Sequence, residues 1–123
     1  MRDRTLWTWH IAAGAVILIL LGMHMAIMHL NQSLGLFGPE PLAWESVAER
    51  ATSLFFTVTY VLLLGAALYH GFYGFRNILF ELNPGAGLRR TIDVGLSVLG
   101  LALFAFGTWA AIAAPGAATM VGG

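Results

Sequence analysis

Four histidines lie within long uncharged stretches of this 123-residue sequence: His10, His24, His29 and His70. A neutral imidazole is the commonest metal ligand in proteins, and it also serves as a hydrogen-bonding group. Ionisable groups are expensive in apolar segments, so each histidine marks a candidate site. The sequence contains no cysteine, which excludes a disulfide framework, thiol catalysis and cysteine-held zinc or iron–sulfur clusters.

His70 has the surroundings best suited to a flat cofactor. It lies about 17 residues into an apolar segment, roughly 25 Å from its start. Its same-face neighbours are Ala66, Ala67 and Gly74, and Gly71 is adjacent. Such small side chains form a shelf on which a porphyrin can lie against the helix that ligates its iron. They are equally typical of close helix packing with His70 hydrogen-bonded across the interface, so spacing alone leaves both interpretations open.

The other histidines are less favourable. The helical neighbours of His24 are bulky and leave less room for a macrocycle: Leu20, Leu21, Ile27 and Met28. His29 is expected near one membrane interface, in contact with water or headgroups. His10 is expected near the other interface, because Trp7 and Trp9 beside it are typical of an aromatic belt.

The elements that hold these residues are predicted to be membrane-spanning helices. Charged residues make up 10% of the chain and hydrophobic ones 59%, whereas soluble domains carry about 25% charged residues. Formal net charge is zero, so no nucleic-acid partner is indicated. Residues 5–30, 53–75 and 94–114 contain no Asp, Glu, Lys or Arg. Each stretch can cross a bilayer, so we predict an all-α integral membrane bundle of three transmembrane helices.

The chain is expected to form a single domain over residues 1–123, with helices at about 5–30, 47–81 and 92–114. Turn and capping residues set these limits. Ser46 and Glu49 have the spacing of a capping box for the second helix, and Thr91 or Asp93 is expected to cap the third. Loops or helix ends are predicted at three Pro/Gly-containing places: around Gly38, Pro39 and Pro41, at Asn83-Pro84-Gly85, and at Pro115-Gly116. The tail 115–123 is expected to be mobile.

Arginines are distributed asymmetrically about the three helices. Arg2 and Arg4 precede the first, and Arg76, Arg89 and Arg90 lie between the second and the third. The loop between the first two helices is instead rich in glutamate. The positive-inside rule therefore predicts a cytoplasmic N-terminus and second loop, with the C-terminus outside.

The segment from Tyr69 to Glu81 resembles the second helix of the small, cytochrome b-type membrane anchor of succinate dehydrogenase (succinate:quinone oxidoreductase). In that family a histidine is followed by glycine four positions on, often by arginine at six, and by an acidic residue at eleven. Gly74, Arg76 and Glu81 stand at these offsets from His70. Gly14, His24 and the residues up to His29 resemble the family's first helix. The similarity covers roughly residues 10 to 90.

This resemblance implies a non-catalytic subunit of respiratory complex II in a prokaryotic cell (inner) membrane. Such an anchor holds a flavoprotein subunit and an iron–sulfur subunit at the cytoplasmic face. Electrons from succinate pass to a quinone, either ubiquinone or menaquinone. A haem b lies between two anchor subunits, each of which supplies one histidine. The family's haem ligand aligns with His70, and Arg76 is a candidate contact for a haem propionate or the quinone.

Two further expectations concern the number of haems. No second histidine is expected at the depth of His70, so the other axial ligand is assigned to a different subunit. His24 lies about 19 residues, or roughly 28 Å, from the cytoplasmic end. It cannot share a haem with His70 and would serve a second one. A single haem is favoured, because the neighbours of His24 are bulky.

A quinone headgroup needs a hydrogen-bond donor and flat apolar walls. Trp9, His10, Tyr73 and Arg76 are the candidates at the cytoplasmic interface.

Departures from the family pattern weigh against a complete quinone pocket. Leu82 stands where the family often has tyrosine, and Ile11 and Ala13 stand where it often has arginine and serine.

The alternative function is a haem-free three-helix accessory subunit of another membrane complex, in which the histidines only pack.

Overall fold

The computed structural model describes residues 2–35, 40 and 42–121. Its elements are α1 (Arg2–Met25), a π-helical turn (Ala26–Leu30), α2 (Asn31–Leu34), α3 (Trp44–Thr52), α4 (Leu54–Glu81) and α5 (Ala86–Val121). Three helical stretches have the length and apolar composition to cross a membrane: Arg2–Leu30, Leu54–Glu81 and Ala86–Ala114. The predicted all-α architecture with three spans is confirmed, and the chain is a multi-pass membrane protein.

The helix α4 lies between the other two long helices. It packs against α1 on one side and α5 on the other, whereas α1 and α5 do not approach within 8 Å at their Cα atoms in the described part of the chain. The short helix α3 packs on both α5 and α4. Side chains on α4 therefore reach two separate interfaces.

The predicted turn at Asn83-Pro84-Gly85 joins α4 to α5. Asn83 has a φ of 51°, in the left-handed region that asparagine tolerates better than most residues. Its amide donates to the carbonyl of Phe80 at 3.0 Å, which closes the end of α4. The Arg89 guanidinium donates to the Pro84 carbonyl at 3.0 Å and to Asn83 Oδ1 at 3.2 Å. The turn makes α4 and α5 antiparallel neighbours.

This turn and the start of α1 define one end of the bundle, which we call the arginine end. Its basic residues are Arg2, Arg4, Arg76, Arg89 and Arg90. The opposite end carries α3, and we call it the glutamate end, because Glu45 and Glu49 lie there.

Helix boundaries differ from the predictions at the second span. The expected single helix over 47–81 is divided at Ser53, whose backbone is extended (φ −83°, ψ 121°). The amphipathic segment α3 thus forms a separate helix before the predominantly apolar α4. The predicted capping box is also wrong, because α3 begins at Trp44 after Ala43, without a side-chain cap, and Ser46 lies inside it.

The third helix also begins earlier and ends later than predicted, although its membrane-spanning stretch ends at Ala114. α5 starts at Ala86, directly after the turn, and the Arg89 amide donates to the Gly85 carbonyl. Thr91 and Asp93 therefore lie inside α5 and do not cap it. α5 continues to Val121, past the expected end at Pro115, at the cost of one backbone hydrogen bond that proline cannot donate. The predicted loop residues Gly38, Pro39 and Pro41 lie outside the described residues.

The described chain has no apolar core of its own. His10, at 9% exposure, is the one buried residue among those described, whereas Leu18 and Leu54 are each 77% exposed. Exposed apolar surface on this scale needs lipid or other subunits to cover it.

Candidate functional site

Two histidines from different helices stack at the arginine-end half of the α1–α4 interface. The rings of His10 and His70 lie 4.1 Å apart between centroids and are parallel to within 1°. This corrects the expectation that no second histidine lies at the depth of His70. The lone pair on an imidazole nitrogen lies in the plane of its ring. Two parallel, overlapping rings have no shared plane, so this stack cannot give both axial ligands to one iron.

The His70 ring is oriented by a backbone hydrogen bond. Its Nδ1 lies 3.0 Å from the carbonyl oxygen of His10. A carbonyl oxygen only accepts, so Nδ1 carries the proton and donates. In the neutral ring the lone pair then lies on Nε2. Metal-ligating histidines almost always have their second nitrogen bonded in this way.

Two glycines make room for the stacked rings. A Cβ added at Gly14 would lie 3.1 Å from Cε1 of His70, and one added at Gly74 would lie 3.3 Å from Cε1 of His10. Each glycine follows one histidine by four residues and faces the other, so the site is built from two His-x-x-x-Gly segments. Gly74 thus adjoins His10 rather than His70, and Gly71 has open space around it.

The repeated His-x-x-x-Gly spacing was the sequence signal for this arrangement. It paired His10 with Gly14 on the first helix and His70 with Gly74 on the second. The sequence interpretation used only the second of them for the site.

These residues would suit a haem whose iron takes His70 as a ligand. A neutral His70 carries its lone pair on Nε2, and its ring is held by the hydrogen bond from Nδ1 to the His10 carbonyl. His10 covers the face of that ring but not its edge. The described residues contain no cluster of three or more His, Cys, Asp or Glu side chains. A haem iron that takes one histidine from this chain does not require such a cluster.

Aromatic side chains enclose the histidine stack. Trp7 stacks on His10 at 5.2 Å between centroids, and Tyr73 lies 5.3 Å from it. Tyr69 stacks on Tyr73 at 5.8 Å and donates its hydroxyl to a backbone carbonyl of α1, that of Leu6, at 2.9 Å. His10 Nδ1 is buried without a hydrogen-bond partner. The predicted contact Trp9 is 63% exposed, so Trp7 is the indole that the structure adds to this site.

Arg76 is held by a carboxylate that the sequence interpretation assigned to a cap. Its guanidinium forms an ion pair with Asp93 through Nε and Oδ1, with a longer contact of 3.5 Å from Nη2 to Oδ2. It also lies over the Phe80 ring at 4.1 Å and within 6.0 Å of the Tyr73 centroid. Asp93 comes from α5, so this ion pair links α5 to the aromatic side chains near His10.

His24 lies in a different environment towards the glutamate end. Its ring meets Tyr60 edge-on at 6.1 Å between centroids. The adjoining cavity is about 20 Å³, far too small for a porphyrin. Bulky side chains from α1, the π-helical turn and α4 line it, including Leu20, Ile27, Met28 and Phe56. His29 is exposed.

The positions that depart from the expected quinone pattern lie on the periphery. Leu82 and Ile11 are 77% and 54% exposed, and Ala13 is half-buried. None of the three contributes a polar group to the aromatic surroundings of His10.

The fold and site define a three-helix membrane subunit with a histidine pair between its first two spans. The family of succinate dehydrogenase/fumarate reductase transmembrane subunits matches residues 2–112, and the chain belongs to this family. It is 25% identical over 103 residues to the succinate dehydrogenase hydrophobic membrane anchor subunit of Archaeoglobus fulgidus, covering 84% of this chain and 83% of that protein. No solved structure matches the chain.

Proposed function

We propose that this chain is a membrane anchor of succinate dehydrogenase. It holds a flavoprotein subunit and an iron–sulfur subunit at the membrane and supports electron transfer from succinate to a quinone through a b-type haem. The observation that carries the proposal is the His70 ring, whose Nδ1 donates to the His10 carbonyl and whose Nε2 is left as a ligand. Family membership and the name of the Archaeoglobus relative support the anchor role.

In this proposal His70 supplies one axial ligand and a second anchor subunit supplies the other. When bound, the haem accepts and donates single electrons. His10 keeps the His70 ring in place through its carbonyl and by stacking. Arg76 is the candidate partner for a propionate, because its guanidinium is charged and preorganised by Asp93.

The test uses the whole complex, purified with its co-purifying subunits. We expect flavoprotein, iron–sulfur and second anchor subunits, together with a reduced-minus-oxidised spectrum of b type. His70→Ala abolishes or converts that spectrum, whereas His29→Ala, at an exposed position, leaves it unchanged. An unchanged spectrum in an assembled His70→Ala complex would overturn the haem assignment. An assembled complex without haem would favour the haem-free accessory subunit.

The orientation follows from the charges at the two ends of the bundle. We infer that the arginine end faces the cytoplasm of a prokaryotic cell, where the flavoprotein and iron–sulfur subunits dock. A cysteine introduced at Glu45 is expected to react with an impermeant reagent added outside, and one at Arg89 is not. The reverse labelling pattern would invert the orientation.

For the quinone, we propose a headgroup position beside His10, Tyr73 and Arg76, with Trp9 as a further candidate. Tyr73 lies between His10 and Arg76, so a phenol, an imidazole and a guanidinium adjoin one another. Tyr73→Phe, His10→Ala and Arg76→Ala are each expected to lower quinone reductase activity, while succinate oxidation by an artificial acceptor is retained. Unaltered quinone reduction in all three would remove this chain from the quinone site.

A further inference from the structure

A long cleft runs between α4 and α5 on the side of α4 away from His70. Its volume is about 610 Å³. Apolar residues from the facing helices line most of its length: Gly65, Leu68 and Phe72 from α4, and Gly100, Leu101 and Phe104 from α5. Arg2 and Leu6 of α1 border it at the arginine end.

The length of the cleft matches one leaflet of a membrane. Its lining on α4 extends from Gly65 to Arg76, which corresponds to about 16 Å along a helix. Half of a bilayer hydrocarbon core is about 15 Å. A single hydrocarbon chain that enters at the arginine end would therefore end near Gly65.

The two ends of the cleft differ in chemistry. Arg2, Arg76 and Asp93 lie at the arginine end, Ser97 lies about one helical turn deeper along α5, and the other end is apolar. Since Asp93 is paired with Arg76, the charge of Arg2 remains for a ligand. Asp3 is also within electrostatic reach of Arg76. Across this end of the described chain, five arginines face three carboxylates, those of Asp3, Glu81 and Asp93.

From this combination we propose that the cleft binds an anionic phospholipid. One acyl chain lies between α4 and α5, and the phosphate lies at Arg2. Basic pockets between transmembrane helices on the cytoplasmic side are suited to such headgroups. The glutamate end offers no comparable charge complementarity, because Glu40, Glu45 and Glu49 outnumber Arg50 there.

The lipid position adjoins the proposed quinone position, since Tyr73 and Arg76 line the cleft and also belong to the quinone proposal. Tyr73 lies between them, with His10 on one side and the cleft on the other. Arg2 and Ser97 have no part in the quinone proposal. Lipid retention can therefore be measured without reference to haem or activity.

The experiment is native mass spectrometry of the purified, delipidated complex, titrated with dioleoyl phosphatidylglycerol or with dioleoylglycerol, which has the same chains without the phosphate. We expect a retained phosphatidylglycerol adduct and clearly weaker binding of dioleoylglycerol. Arg2→Ala should weaken phosphatidylglycerol binding about fivefold, whereas Arg4→Ala, outside the cleft, should leave it near the wild-type value. Arg2 is exposed, so its replacement is compatible with folding.

A second pair of variants tests the cleft itself. Ser97→Phe places a ring inside the cleft and should abolish the adduct, while Val98→Phe, at the next and 62% exposed position, should retain it. Equal binding of the two lipids, or equal effects of Arg2→Ala and Arg4→Ala, would overturn the phosphate assignment. Absence of any wild-type adduct would overturn the proposal, as expected if a helix of another subunit fills the cleft.

Discussion

The histidine sites at the two halves of the α1–α4 interface share one arrangement of residues but differ in the packing around it. In each, a histidine of α1 meets an aromatic ring from α4: His10 meets His70, and His24 meets Tyr60. At the first site glycines face the rings, and an added Cβ would lie only 3.1 or 3.3 Å from them. At the second, leucine, isoleucine, methionine and phenylalanine close the site to a cavity of about 20 Å³.

The comparison distinguishes a histidine whose surroundings suit a metal ligand from one enclosed by bulky apolar side chains. Glycine lets two helices approach closely enough for a backbone carbonyl of one to orient an imidazole on the other. His70 gains such a carbonyl, which leaves Nε2 to carry the lone pair when the ring is neutral. His24 has no hydrogen bond of this kind among the described contacts, and its ring is held by apolar side chains. The residues that surround a histidine therefore indicate its suitability as a ligand better than its depth in the membrane does.

The largest effect is expected when the glycine facing His70 is enlarged. Gly14→Val puts a branched side chain where a single Cβ would already lie 3.1 Å from the ring. The ring or the helix must move, which overpacking of this kind makes unfavourable by about 1–3 kcal/mol. We expect haem absorbance to be lost or strongly reduced in the assembled complex.

The control is Gly22→Val on the same helix, where an added Cβ has no neighbour within 4 Å. Both variants carry the same change in helix propensity, so the difference between them measures packing against His70. Equal haem content in the two variants would contradict the role assigned to Gly14.

A smaller effect is expected at the matching glycine of α4. Gly74→Val meets the His10 ring, with an initial contact of 3.3 Å, rather than the His70 ring itself. Haem should be retained, with a changed reduction potential, because His10 rather than the ligand is displaced. Potentiometric titration of the haem in Gly74→Val and in Gly71→Val measures the difference in reduction potential. Gly71→Val is the control, because a Cβ added there has no neighbour within 4 Å. Loss of haem in Gly74→Val to the same extent as in Gly14→Val would show that the two glycines are not distinct in function.

Much of the fold was predictable, because spans depend on composition and length. Three uncharged stretches located the three helices, and Asn83-Pro84-Gly85 located the turn between the second and third. The helix ends were less predictable. Ser46 and Asp93 are both good capping residues, but the helices begin earlier, at Trp44 and Ala86, and leave these side chains inside.

The site was only partly predictable, because its contacts depend on how the helices are arranged against one another. The histidine of α4 and its small neighbours were visible within one helix. Its partner His10 lies 60 residues away, and their contact depends on how α1 is rotated against α4. With exposed apolar residues on all sides of these helices, the sequence has no amphipathic pattern that fixes this rotation. The pairing of Arg76 with Asp93 depends in the same way on α5.

A modest effect is expected from Asp93→Asn. The two side chains are 26% and 45% exposed, so the ion pair contributes at most about 1 kcal/mol. Thermal dissociation of the complex should occur a few degrees earlier at low salt, and the difference from wild type should shrink at high salt. Asp93→Glu should restore part of the stability. Insensitivity of the difference to salt would indicate that Asp93 acts through packing.

The smallest effect is expected at His24, and it tests the comparison directly. The bulky neighbours and the small cavity leave no space for a porphyrin beside this ring, so His24→Leu should leave the ratio of haem to flavin at one. Leucine is apolar and of similar size, and it makes no demand for a hydrogen bond in this environment. Stability of the complex should change by less than about 1 kcal/mol.

The matched substitution His70→Leu should remove the haem altogether. A wild-type ratio of two haems per flavin, with one lost in His24→Leu, would show that the site opens in the assembled complex. The two halves of the interface would then be equivalent in function, and electrons could cross the membrane through both.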